Sequence, residues 1–228
     1  MNTGIYFKNH SDENYKEFHQ KLCPTKYPII GVKIPILRKI AKELSTKHSL
    51  EYLVNNIDNS CFENVLLKGL CIAYSKECNL DYIDNYINLI DNWSLCDTFC
   101  NTLKFIKKDK TNYIDFINNC LHSNEEFRIR VGLVLLLNYY ICDDYKEYLY
   151  NVLDNVNTTY YYTHMAAAWL LSYLFIYYYD DTLNYLKYSK LDTLTIAKGI
   201  TKAIESYRII KEQKIELKKL RNLYTSKK

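Results

Sequence analysis

Apolar residues recur at three- and four-residue spacing along almost the whole chain. Ile36, Leu37, Ile40, Ala41 and Leu44 form one such series, and Tyr82, Ile83, Tyr86, Ile87 and Ile90 form another. This spacing puts them on one face of an α-helix. Short polar stretches interrupt the series at 45–49, 58–60, 76–79, 91–92, 107–111, 122–125, 143–144, 155–159 and 188–192, and each reads as a helix boundary. Asn124 ahead of Glu125, Asp81 beside Tyr82, and Asp192 ahead of Leu194 are read as N-caps, because each offers a side-chain acceptor to the first amides of a helix.

Taken in twos, the segments give helix pairs near 34–57, 61–91, 93–122, 124–156, 159–189 and 191–224, a period in the low thirties of residues. The expected fold class is all-α: an α-solenoid of about six antiparallel helix pairs with a concave face. One pair alone cannot bury its apolar stripe, whereas stacked neighbours share a continuous core. A regular helical bundle without a groove is the alternative. The expected organisation is a single domain over 1–228, with an N-terminal helical segment 1–30, a repeat array 31–224 and a tail 225–228.

Composition supports the helical reading. The chain has 5 Gly and 3 Pro, and Pro24, Pro28 and Pro35 lie in one short window, so no proline breaks the chain from 36 onward. Hydrophobic residues make up 48% of the sequence, with 24 Tyr among them, enough to build a core without disulfides or metal. Tyrosine runs at 160–162 and 177–179 cannot point one way on a helix, so part of each must pack internally or face solvent. The 8 cysteines are scattered through amphipathic stretches with no signal-peptide pattern before them. Reduced thiols in a cytoplasmic protein are therefore expected. Cys96 and Cys100 lie one turn apart, but no second Cys/His pair of ligand spacing accompanies them, and neither a metal nor a cofactor is expected. The longest apolar run, 165–179, is too short and too rich in Tyr to span a bilayer. No membrane partner is expected.

Charge is unevenly spread. The net charge is +4, yet residues 198–228 carry ten Lys/Arg against three Glu, which leaves the rest of the chain net acidic. A basic end can hold a phosphate backbone, and it can equally be a solvated helix face.

Two tryptophans stand out. Trp93 and Asp97 in Asn92-Trp-Ser-Leu-Cys-Asp97 are four residues apart, so an indole and a carboxylate share one helix face. Trp169 follows Ala166, Ala167 and Ala168, which leave room for a bulky group beside the ring. An indole face and a preorganised carboxylate suit a flat, cationic ligand. The same residue types also serve as core and capping residues.

The stretch Gly31-Val-Lys-Ile-Pro-Ile-Leu-Arg38-Lys-Ile-Ala-Lys42, after Tyr15-Lys-Glu-Phe-His-Gln-Lys-Leu-Cys-Pro24, resembles the N-terminal signature of the AlkD-type DNA alkylation repair proteins. Residues 63–73 resemble the second-repeat helix of that family, 92–97 its Trp-x-x-x-Asp motif, 125–130 its arginine-bearing helix, and 167–169 the helix with its second tryptophan. Residues 205–208 are similar to its C-terminal segment. The resemblance implies HEAT-like helical repeats and a monofunctional DNA glycosylase that removes positively charged N3- or N7-alkylated purines from duplex DNA without base flipping. It implies that Asp97 stabilises an oxocarbenium-like sugar and that Trp93 and Trp169 contact the deoxyribose of the lesion. Arg130 or Arg128 would contact the DNA backbone, with Arg38, Lys104, Lys202 and Arg208 as further phosphate contacts. Ser94 stands where the family often has an acidic residue. A monomer is expected, cytoplasmic and associated with the bacterial nucleoid when on DNA. The alternative is a catalytically inactive HEAT-like repeat protein that binds DNA structures or a protein partner.

Overall fold

The computed structural model describes residues 3–225. Among the described residues are fourteen α-helices and no extended strand, only an isolated antiparallel bridge between Ser11 and Val32. The chain divides into two compact units, Met1–Phe105 and Ile106–Lys228. In the first, α1 (Gly4–Lys8) and α2 (Glu13–Leu22) precede α3 (Ile34–Lys47), α4 (Leu50–Asn56), α5 (Phe62–Tyr74), α6 (Leu80–Ile87) and α7 (Trp93–Thr102). The second holds α8 (Lys110–Leu121), α9 (Glu126–Tyr139), α10 (Lys146–Asn155), α11 (Tyr161–Tyr177), α12 (Tyr179–Leu186), α13 (Thr193–Glu205) and α14 (Lys211–Thr225). The six helix pairs read from the periodicity correspond to α3 through α14, with ends that agree to within a few residues.

Alternate helices do most of the packing. In the first unit α5 lies against α3 and α7; in the second α11 lies against α9 and α13, with α8 on α9 and α14 on α13. This is the adjacency that stacked helix pairs produce. The central helices are accordingly apolar nearly all round: residues 62–73 of α5 are all buried, as are 129–137 of α9. Side-chain bonds repeat with the same period. Tyr148 donates to Asn118, Tyr185 to Asp154, Thr158 to Asp192 and Arg130 to the Tyr162 carbonyl, each linking residues 30 to 34 apart. Much of the tyrosine is thus spent on ties between neighbouring repeats, and the runs do diverge: Tyr161 is exposed while Tyr162 packs on Phe127.

Two of the three expected N-caps lie elsewhere. Asp192 caps α13, accepting from the Thr195 amide at 2.8 Å. For α6 the cap is Asn79, which accepts from Tyr82, so Asp81 sits inside the first turn. For α9 it is Glu125, with no side-chain cap bond, because Ser123 Oγ takes the Glu125 amide and turns the chain one residue later than Asn124. Each error is one or two residues, the reach over which several polar side chains compete for the same amides.

The N-terminal segment is locked onto the start of α5. Glu63 is fully buried and accepts from the backbone amides of Ile30, Gly31 and Val32, the shortest bond 2.7 Å. Gly31 has φ +100, and a Cβ there would stand 2.6 Å from the Asp12 carbonyl oxygen. Only glycine fits that turn.

Further along α5, Gly69 lets the Tyr86 ring press onto the helix backbone, where a Cβ would meet the ring at 2.3 Å. The Tyr86 hydroxyl is buried without a hydrogen-bond partner among the described residues, and burial pushes its pKa well above the ordinary phenol value. Tyr86→Phe removes an unsatisfied polar group and is expected to stabilise the fold by about 1 kcal/mol, a rise of roughly 3 °C in melting temperature by calorimetry. A fall in melting temperature would mean that the hydroxyl has a partner in solution.

Candidate functional site

In the first unit, the loop after α2 clasps the start of α7. Asn92 is the N-cap: its Oδ1 accepts from the Leu95 amide at 3.0 Å and from the Cys23 thiol at 2.9 Å, while its Nδ2 donates to Asp91 at 2.7 Å. Asp91 in turn accepts from the Thr25 hydroxyl and the Lys26 amide, and the Tyr27 hydroxyl donates to the Leu89 carbonyl. Burial first, opposed by the Ser94 amide and reinforced by the carboxylates of Asp91 and Asp97, pushes the Cys23 thiol up to about 11. It therefore stays protonated and donating at neutral pH.

This clasp orients Trp93, the first residue of α7. Its indole Nε1 donates to the Leu22 carbonyl at 3.1 Å. Along α7, residues 94–96, 99, 100 and 102 are buried, whereas Trp93, Asp97, Thr98 and Asn101 are not. The accessible stripe is therefore Trp93, Asp97 and Asn101, at i, i+4 and i+8. Trp93 and Asp97 share the face that their spacing predicts. A carboxylate on such a stripe keeps access to a ligand while its helix is fixed by a buried cap, an arrangement that can face a developing positive charge.

The other candidates of this unit stand on other elements. Arg38 on α3 donates from Nη1 to Thr102 Oγ1 at 2.7 Å and to the Tyr74 hydroxyl at 3.2 Å, so it ties α3 to the ends of α5 and α7. Lys104 is exposed and opens the 3₁₀ turn Lys104–Lys108.

In the second unit Trp169 is partly exposed on α11, on a stripe with Met165, Tyr173 and Tyr177. Trp169 and Tyr173 meet edge to face at 6.2 Å, and Tyr173 stacks on Tyr177 at 6.3 Å. Trp169 and Tyr173 of this stripe form one wall of an open cleft of about 330 Å³ whose other lining includes Lys202, Glu205, Tyr207 and Arg208. Three of the sequence-predicted residues, Trp169, Lys202 and Arg208, therefore come together. Arg208 donates to the Tyr177 hydroxyl at 3.1 Å and lies over its ring at 5.7 Å. Tyr173 and Tyr207 went unread, although Tyr173 follows Trp169 by four residues and so had a detectable signal.

Arg128 and Arg130 do not line that cleft. Arg130 is 6% exposed, bonded to the Tyr162 carbonyl at 2.8 Å and packed over the Tyr162 ring. Arg128 is the more accessible of the two, 3.4 Å from the Glu125 carboxylate. Cys96 and Cys100 are buried free thiols. No helix among the described residues is long and apolar enough to cross a membrane.

Helix packed on helix throughout, with an indole and a carboxylate on one accessible stripe of the first unit and a cleft lined by aromatic and basic side chains in the second, defines an all-helical protein. Comparison with known families gives the particular one. Residues 6–203 match the family described as DNA alkylation repair enzyme, and the chain belongs to that family. Its role is in DNA repair, and DNA is its substrate. Comparison with the curated proteins and with the solved structures gave no match.

Proposed function

We propose that the protein is a monofunctional DNA glycosylase that excises positively charged N3- or N7-alkylated purines from duplex DNA without flipping the base. The observation that carries this reading is the accessible stripe on α7, where Trp93 and Asp97 stand one turn apart above a buried, fully bonded cap. An alkylated purine already bears a positive charge and leaves readily, so the reaction needs no strong general acid. What accelerates it is a fixed negative charge near the sugar as the glycosidic bond lengthens and the sugar becomes oxocarbenium-like. Asp97 is assigned that charge, together with positioning of the attacking water. Trp93 is assigned contact with the deoxyribose, its ring held by the bond to Leu22; Trp169, in the second unit, is assigned contact with the DNA.

A grip on the phosphodiester backbone replaces a base pocket in this reading, and the duplex stays intact. Lys202 and Arg208 beside Trp169, with Arg128, are assigned to phosphates. Arg130 is assigned to holding α9 against the start of α11 through Tyr162. Incubation of the purified protein with methylated duplex DNA is expected to release free methylated purines, measured by chromatography. Binding should weaken steeply with salt, by about one power of salt concentration per phosphate contact. Absence of released base at every ionic strength would leave a DNA-binding protein without catalysis, and the glycosylase reading would fall.

A further inference from the structure

Eight cysteines are present and six are buried; Cys78 and Cys142 are the two that are not. They differ in their surroundings. Burial pushes the Cys78 thiol up to about 12, and its sulfur donates to the Asn79 carbonyl at 3.7 Å. Cys142 instead has the amine of Lys110 at 3.1 Å from its sulfur.

Both partners of that pair are held. The Lys110 Nζ lies 6.0 Å from the centre of the Tyr140 ring and 5.7 Å from that of Tyr145, so two aromatic faces keep the cation beside the sulfur. The Lys110 carbonyl accepts from the Tyr140 hydroxyl at 2.7 Å, which fixes the first residue of α8 to the end of α9. Cys142 is fixed on its own side, its amide donating to the Tyr140 carbonyl and its carbonyl accepting from the Tyr145 amide. A nitrogen and a sulfur kept at contact distance by bonds on both sides have the high effective concentration that turns a slow bimolecular step into a fast local one. Neither residue is among those assigned to base release.

The geometry points to a peroxide-driven covalent cross-link between Lys110 and Cys142. In the first step hydrogen peroxide oxidises the Cys142 sulfur: the O–O bond breaks, one oxygen becomes the sulfenic hydroxyl, and the other leaves as water with the thiol proton. The Lys110 ammonium then releases a proton to solvent, and its nitrogen lone pair attacks the sulfur. An S–N bond forms and the S–O bond breaks. The departing hydroxide takes a second nitrogen-bound proton and leaves as water. Sulfur is oxidised by two electrons and the peroxide is reduced to two waters; a thiol reductant restores the free amine and thiol. The product clamps α8 to the segment after α9.

The test treats the full chain with hydrogen peroxide, digests it and reads the peptides by mass spectrometry. The expected product joins the Lys110 and Cys142 peptides at a mass about 2 Da below their sum, and dithiothreitol separates it. A second measurement uses dimedone, which traps sulfenic acids. Lys110→Arg keeps the cation but removes the nucleophilic amine, so dimedone should label Cys142 in that variant roughly fivefold more than in the parent. Equal labelling of Cys142 in the two proteins overturns the proposal, as does oxidation of Cys142 in the parent with no joined peptide. An unreactive Cys142 under conditions that label Cys78 also overturns it.

Discussion

Asp97→Asn is expected to slow release of methylated purines at least about a hundredfold, the loss seen when a single preorganised electrostatic contact is removed from a transition state. The amide has the size of the carboxylate and keeps an acceptor oxygen, but it carries no net charge to set against the oxocarbenium-like sugar. Folding should be little affected. Asp97 is only partly buried, and Asn92, Asp91 and Cys23 define the start of α7. The melting temperature should therefore move by no more than about 3 °C. The measurement is single-turnover base release from methylated duplex DNA, with calorimetry on the same preparation. Release at the parent rate would remove Asp97 from the chemistry. Loss of activity together with a large fall in melting temperature would show instead that Asp97 holds the helix. Trp93→Phe gives a graded companion, because it keeps an aromatic face while deleting the indole bond to the Leu22 carbonyl.

Much of this architecture was legible from one physical fact, the period at which apolar residues recur. It located six helix pairs because each outer helix, such as α6 with Ile83, Tyr86 and Ile87 inward, must be amphipathic. The central helices are a different case. In α5 and along 129–137 of α9 burial surrounds the helix, so periodicity says that they are helical but not which side meets a ligand. The Trp93–Asp97 face was readable because α7 is short and accessible along one edge. Other features were not, since they depend on partners distant in sequence: Cys23 on Asn92, 69 residues away, and Arg38 on Thr102, 64 residues away. The arginine pair shows the same limit. Arg128 and Arg130 sit two apart, and nothing in their spacing told which one the Tyr162 carbonyl would bury.

Glu63→Ala is expected to be the most damaging single change to stability, at about 4 kcal/mol, or a fall of roughly 12 °C in melting temperature. A buried charge is ordinarily a burden, and this one is retained because it is fully used. Three successive amides of the turn at Gly31 converge on its two oxygens, and Oε1 alone takes bonds from Ile30, Gly31 and Val32. Without the carboxylate these donors are left without acceptors beside α5, and bonds to a charged group are each worth about 1.5 to 3 kcal/mol. The turn has no alternative shape available, because Gly31 is committed to positive φ against the Asp12 carbonyl. Glu63→Gln separates charge from shape. Its oxygen can still accept from Gly31 and Val32, but its NH₂ would meet the Ile30 amide donor to donor, so about half the loss is expected. Thermal unfolding of the parent and both variants, with the order parent, Gln, Ala in falling stability, is the measurement. Equal melting of the Gln variant and the parent would mean that the negative charge contributes nothing, and that the turn at 30–32 is held by its shape alone.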